Sequence, residues 1–570
     1  MLRTLAVVAA LAPAACGSPA TPGPASPAPS TFEATASAIT DRLLAANPAM
    51  GVAKGLHELD GRLPDRSPAA LAAEVDSLRR DRAALEAFDP RVLSPVERDE
   101  RALLLQEVRG LLFARVDLDV FHTNPMSYSS AIDLHDYIVR DYAPLTQRAA
   151  AVIALCHGLP GYLAQARANL ARPMPRTWVD TALLQTRGYA ELVAHDIPFA
   201  FPSDVPLANA ADLERGLATC KAALAQHADW LVHEQGRATD AFALGTDRFL
   251  RMLAEDEGIA LDLPRLQQAA DADLARNTAA IEAAGKSIDP ARPLADVVHE
   301  IDDDKPAADR VLAEATAQAA QLRTFLVAHH IVSLPYDDVA EVKTSPPFQR
   351  WNAAFLNAPG VFETKQLPSF FYISPPDPSW SPADQRAYIP SRSDLLFVTV
   401  HEVYPGHFVH HLHIKHSPSR ILKTFCMYTT SEGWAHYAEE MMWDQGAAGD
   451  SPRAHVGQLE EALLRDVRFE VAIGEHTGGM TVAQAEKLFR ERGFQDPGNA
   501  HQQAVRGTFD PMFLAYTVGK LAIRKLRDDW MAAHPGASLQ DFHDAFLSHA
   551  CAPLPAIREA LLGDSAGPLL

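Results

Sequence analysis

The residues best suited to chemistry lie between Leu395 and His416, in the run LLFVTVHEVYPGHFVHHLHIKH, which holds six of the chain's 23 histidines. In a zinc hydrolase helix, His-Glu-x-x-His places two imidazoles on one face with the glutamate beside them as general base. His401 and Glu402 begin that pattern, but position 405 is proline and the next histidine is His407. On a regular helix of 3.6 residues per turn, six residues advance by roughly 240°, so the two rings would diverge. Pro405 lacks an amide hydrogen and its ring crowds the carbonyl of His401, while Gly406 tolerates unusual dihedrals. These two residues predict a distorted turn or bulge that carries His407 to the place an ordinary motif fills at i+4. A competing pair, His407 and His411, is correctly spaced, but Phe408 follows His407 and leaves that pair without an adjacent base. His410, His413 and His416 read as surface or auxiliary residues.

A catalytic zinc takes three protein ligands and keeps one open position. Just beyond the histidines, the segment SEGWAHYAEE (Ser431 to Glu440) supplies carboxylates. Read as a helix, it places Glu432, His436 and Glu439 on one face. Glu432 is the natural third ligand, and His436 or Glu439 would orient a metal-bound imidazole through its other nitrogen.

The elements that must position these groups are mostly helical. Ser67-Pro68 opens a segment with Leu71, Val75, Leu78 and Leu85 at helical spacing, and Ser94-Pro95-x-Glu97 is a capping box. Alanine-rich amphipathic stretches follow from Gln147 to Arg172, Asn209 to Glu234, Leu263 to Ala284 and Asp303 to His329, with no solenoid-type repeat. Between Phe362 and Tyr388, Phe370-Phe371-Tyr372-Ile373 stands among prolines and predicts one or two strands confined to a sheet edge. Such an edge, just before the histidine run, could pair with an extended peptide.

Composition narrows the function classes. The chain has 570 residues, 48% of them hydrophobic, and a formal net charge of −21. It can bury a large core, and its charge repels a nucleic-acid backbone, so no nucleic-acid partner is expected. Met1 to Cys16 reads as an export signal: Arg3, a short apolar run, then Ala14-Ala15-Cys16. Cys16 resembles a lipoprotein processing site that would make the membrane contact through a lipid anchor. Residues 17–31 carry five prolines among Ser, Ala and Gly and form a tether. The other four cysteines, Cys156, Cys220, Cys426 and Cys551, contain no Cys-x-x-Cys pair; one or two disulfides and buried free thiols are both open readings.

HEVYPGH followed by EGWAHYAEE resembles the DUF885 family of exported bacterial proteins, many of them lipoproteins with zinc-metallopeptidase character in the style of gluzincins. Supporting stretches are Gly55 to Asp65, Asn124-Pro125-x-x-Tyr128, Arg465 to His476 and Ala515-Tyr516-x-x-Gly519. The chain departs from the family pattern at Ala472-Ile473 and at Pro511-Met512-Phe513, keeping Gly474, His476, Tyr516 and Gly519. The resemblance implies a mainly α fold: residues 32–570 form one large helical, gluzincin-like unit, in one lobe or two, with a deep cleft and a small β-sheet. It implies one Zn2+ on His401, His407 and Glu432, Glu402 as general base, and Tyr516 or, second, His476 as donor to the oxyanion. Arg506 is read either as a clamp for a substrate carboxylate or as a plain surface arginine. The expected activity is hydrolysis of short peptides, as an oligopeptidase or carboxypeptidase. The alternatives are a surface lipoprotein that binds metal or peptide without cleaving it, and a hydrolase of esters or cell-wall amides.

Overall fold

Helix starts follow the capping chemistry. In this computed structural model, which describes residues 31–170, 173–202, 208–346 and 353–570, Ser67 accepts the Ala70 amide and begins the helix Pro68–Glu86. Ser94 and Glu97 exchange both capping-box bonds at the start of Pro95–Leu112. Cys16 and the tether up to Ser30 lie outside the described residues.

The four alanine-rich stretches form the helices Leu145–Asn169, Ala210–Gln235, Leu263–Ile288 and Val311–Ala328. The last starts later than Asp303, because Pro306 interrupts the segment before it. Leu145–Asn169 is long and apolar enough to cross a membrane, yet half of its most apolar window is buried within the protein. It packs on Ala210–Gln235 in an N-terminal core that includes Val152, Leu155, Leu224 and Leu231. A second core gathers Phe371, Phe397, Phe408, Trp434 and Phe546 beneath the histidine region.

One sheet is present among the described residues: β1 (Ala340–Thr344), β2 (Ala354–Asn357) and β3 (Ser369–Ile373), in the order β1-β3-β2. β3 runs parallel to β1 and antiparallel to β2. This corrects the edge assignment for Phe370 to Ile373: β3 is the central strand and is buried throughout. The flanking prolines fall outside it, at Pro368 and Pro375, so no ladder amide is missing. The outer strands are β1 and β2, and the outward side of β2 carries the Leu356 amide.

The cysteines pair as Cys156–Cys220 and Cys426–Cys551, with Cα separations of 4.9 and 4.7 Å. The first staples the two N-terminal core helices. The second ties the approach to the carboxylate-bearing helix to the C-terminal segment, where Met427 N–H also donates to Cys551 O at 3.1 Å. Peptide mapping without reduction should recover these two linkages and find no free thiol at the four positions; replacing Cys156 and Cys220 together by serine should cost about 2–5 kcal/mol of unfolding free energy.

Candidate functional site

The motif helix, Arg392–Glu402, begins at a capping box between Ser391 and Asp394 and stops at Glu402. A separate helix, His407–His416, starts after four intervening residues. The predicted distortion is therefore a break between two helices rather than a bulge within one. Across it the Tyr404–Pro405 peptide is cis, and Gly406 N–H reaches back to Val400 O at 3.0 Å. Only glycine fits at 406, since a Cβ there would lie 1.8 Å from the His401 carbonyl oxygen. Trp434 Nε1 donates to Pro405 O at 2.9 Å and pins the turn from the neighbouring helix. The outcome is two imidazoles with ring centroids 4.8 Å apart and perpendicular planes.

The carboxylate helix, Tyr428–Asp444, has Met427 at its N-cap, which offers no capping oxygen. Glu257 performs that task from another helix: it accepts the Tyr428 and Thr429 amides at 3.1 Å each and the Thr429 hydroxyl at 2.6 Å. This anionic group at a helix N-terminus was not legible in the sequence. The carboxylate helix lies against Ala515–Ala533 at a glycine pair: a Cβ on Gly433 would fall 2.5 Å from Gly519 Cα. That close approach brings Glu432 and Tyr516 to the same side.

Glu432 Oε2 lies 3.5 Å from His401 Nε2 and 3.4 Å from His407 Nε2. Tetrahedral bonds of about 2.0–2.2 Å place ligand atoms roughly 3.4 Å apart. The same Oε2 is buried and has no hydrogen-bond partner, which is unusual for a buried polar atom. A ligand atom of Glu402 also lies within 4.8 Å of the two histidines, so two carboxylates compete for the third position. Glu402 Oε2 already accepts the Leu356 amide at 2.8 Å, whereas Glu432 Oε2 has no hydrogen-bond donor, so the two carboxylates differ in how they are held.

Glu439 orients His401. Its Oε1 accepts from His401 Nδ1 at 2.6 Å and its Oε2 meets His436 Nδ1 at 3.3 Å, which turns Nε2 of His401 toward Glu432. Glu439 is fully buried, and Arg465 lies 3.5 Å away to balance it. Burial opposes the charged form of His401, but the nearby Glu432 carboxylate, the bond to Glu439 and the charges of Glu439 and Glu402 outweigh it and hold its pKa up at about 10. Burial likewise opposes the Glu432 carboxylate; His407 and His401 outweigh that and hold it well below the usual range. The set is thus built around positive charge next to Glu432, and a divalent cation meets the same demand.

Tyr516 stacks 6.3 Å from the His401 ring, and Tyr428 donates to its hydroxyl at 3.3 Å. Arg506 donates to Tyr428 at 3.2 Å and pairs with Asp510 at 2.8 Å, so it is neither a plain surface group nor unengaged. His476 lies elsewhere: its Nε2 donates to Gly507 O at 2.8 Å, its ring stacks on Phe249, and none of its described contacts is with His401, His407, Glu402 or Glu432. His410 is not a surface residue but is buried, donating to Ala550 O at 2.9 Å; His413 donates to Ser333 O at 3.1 Å, and His416 is exposed and stacks on Tyr336. A cavity of about 720 Å³ is lined by His57, Asp133, His135, Tyr142, Gln185 and Leu356; Leu356, whose amide bonds Glu402, is its link to the site, and His401, Glu402, His407 and Glu432 are not among its lining residues.

Fold and site together define a mainly helical protein with a paired-histidine and carboxylate constellation on a broken His-Glu helix. The model for bacterial proteins of unknown function DUF885 matches residues 48–561, and the chain belongs to that family. It is similar to a candidate lipoprotein of unknown function from Shewanella oneidensis, with 22% identity, a TM-score of 0.79 and coverage of 94% of this chain and 100% of that one. A candidate lipoprotein from Colwellia psychrerythraea is similar at 14% identity, with a TM-score of 0.77 and coverage of 93% and 98%. No match is found among curated proteins.

Replacing Glu439 by glutamine removes the charge that orients His401. Zinc affinity measured by competition with a chromogenic chelator should fall by roughly 10–100-fold while the far-ultraviolet circular dichroism stays unchanged.

Proposed function

We propose that this protein is a zinc-dependent peptidase acting on short peptides, with His401, His407 and Glu432 as ligands. The observation that carries the reading is the unpartnered Glu432 Oε2 between two imidazole nitrogens, beside a glutamate held by a strand edge. Zinc bound there would serve as a Lewis acid toward a peptide carbonyl and lower the pKa of a water to about 7.

The chain's own groups supply the remainder. Glu402 Oε2 is occupied by the Leu356 amide, so Oε1 is free to take a proton from the attacking water and return it to the leaving amine. Leu356 lies on the side of β2 away from β3, because Ser374 N–H pairs with Ala353 O and sets the alternation. An extended peptide laid along that free edge would bring its backbone next to Glu402. Tyr516 receives the Tyr428 hydroxyl hydrogen, so its own hydrogen can turn to a carbonyl oxygen as that atom gains charge. This relay favours Tyr516 over His476, whose Nε2 is committed to Gly507. The cavity that shares Leu356 with the site would suit a short peptide segment better than a folded protein. Two disulfides accord with an oxidising compartment, and lipidation at Cys16 would hold the enzyme to a membrane outside the cytoplasm. The multi-ion binding alternative is less favoured, because His410 and His413 are committed to backbone carbonyls.

Purified protein should contain about one zinc per chain, as a single two-histidine, one-carboxylate site requires. Glu402→Gln should keep the metal by elemental analysis and lose hydrolysis of a peptide library followed by mass spectrometry; undiminished turnover in that variant would refute the proposal, and ester or amide products alone would move it to another bond. Tyr516→Phe should lower kcat by roughly 10²–10³, the usual cost of one oxyanion donor, with little change in zinc content.

A further inference from the structure

We infer that the chain carries a second cation site, for a hard divalent ion such as Ca2+, where the motif helix crosses the helix Pro452–Thr477. It rests on none of the zinc-site residues. One carboxylate oxygen from each of Asp302, Asp394 and Glu460 lies within 4.8 Å of the other two. Asp302 ends the helix Leu294–Asp302, Asp394 sits in the first turn of the motif helix, and Glu460 projects from Pro452–Thr477. Oxygens bound to one Ca2+ at 2.3–2.6 Å can stand up to about 5 Å apart, so this span fits.

Carboxylates near one another do not by themselves make a site. What points to a ligand is Glu460, which is 8% exposed and whose Oε2 is buried with no hydrogen-bond partner. Asp394 Oδ1 is likewise buried and unpartnered, its other oxygen being used in the capping box with Ser391. Among the described residues, no ion pair includes Asp302, Asp394 or Glu460. Lys305 is the cation that acts on Asp302 and Asp394, but its Nζ donates to Ala387 O at 2.7 Å. His299 contributes at Asp302 only as a distant charge.

Leaving buried carboxylates without a counter-charge costs several kcal/mol per ion. Burial accordingly pushes all three carboxyls up, and repulsion from neighbouring carboxylates adds to it at Asp302 and Glu460, with Asp302 raised to about 7. Three carboxylates facing one ammonium leave two negative charges, which a single divalent cation neutralises. An all-oxygen donor set selects Ca2+ or Mg2+ over zinc, and unequal carboxylate spacing is tolerated better by Ca2+. The location gives the ion a task. A Cβ on Gly457 would lie 2.6 Å from Ser393 Cβ, so the two helices touch beside Asp394. An ion there would lock the start of the helix whose last turn carries His401 and Glu402.

The test uses the full chain, stripped with a chelator and dialysed, then titrated with CaCl2 or MgCl2 alone near neutral pH at concentrations up to the order of 1 mM. One Ca2+ should bind per chain by calorimetry and the thermal midpoint should rise. Asp302→Asn and Glu460→Gln should each lose both effects, while Glu432→Gln at the zinc site keeps them. Should Glu460→Gln fail to fold, Asp302→Asn, at a less buried position, carries the same readout. Absence of any Ca2+ or Mg2+ response in the wild-type chain, or a response that survives both substitutions, overturns the inference. So does a midpoint that falls as pH rises from 3.8 to about 7 and then levels, with no cation response, since that marks carboxyls neutralised by protons.

Discussion

The candidate site depends on a single steric constraint: the chain after Glu402 must fold back so tightly that Gly406 sits against the carbonyl of His401. A helix that continued through this point would send His407 to the opposite side. Proline ends the first helix by lacking an amide, and glycine permits the contact that any side chain would prevent. Trp434, fully buried and bonded to Pro405 O, couples this turn to the helix that carries Glu432. The same contact that shapes the histidine pair therefore sets where the carboxylate stands.

Charge is arranged to the same end. Glu432 and Glu439 are both kept ionised in a buried setting, each by a different partner set: histidines for the first, Arg465 and histidines for the second. A buried carboxylate survives as an anion only where positive charge compensates its lost hydration. Glu439 has its compensation within the protein, and Glu432 leaves one oxygen unpartnered. That asymmetry distinguishes the two carboxylates and is the ground on which Glu432 is proposed as the ligand. The glycine pair at Gly433 and Gly519 completes the arrangement, because without it the helix bearing Tyr516 would stand farther from His401.

Much of this was legible in local residue patterns. Capping serines marked helix starts at Ser67 and Ser94, and the Pro405-Gly406 pair announced a distortion whose purpose followed from the histidines around it. The strand at Phe370 to Ile373 was recognisable from its residue types, but its central place was not. A proline-flanked run resembles an edge until the neighbours that pair with it are known, and both neighbours lie at a distance in sequence. His410 shows a related limit: its spacing among exposed-looking histidines concealed an acceptor, Ala550 O, supplied from 140 residues away.

The amino-acid sequence alone determined the helical class, the chemical types gathered near Leu395 to Glu440, and the point at which the motif helix breaks, because caps, periodicity and proline act over a few residues. Tertiary structure alone decided which groups meet. Leu356 reaches Glu402, Glu257 caps the carboxylate helix, Tyr428 engages Tyr516, and Asp302 joins Asp394 and Glu460. Each of these contacts joins segments separated along the chain, and packing of distant faces, rather than any local propensity, brings such segments together.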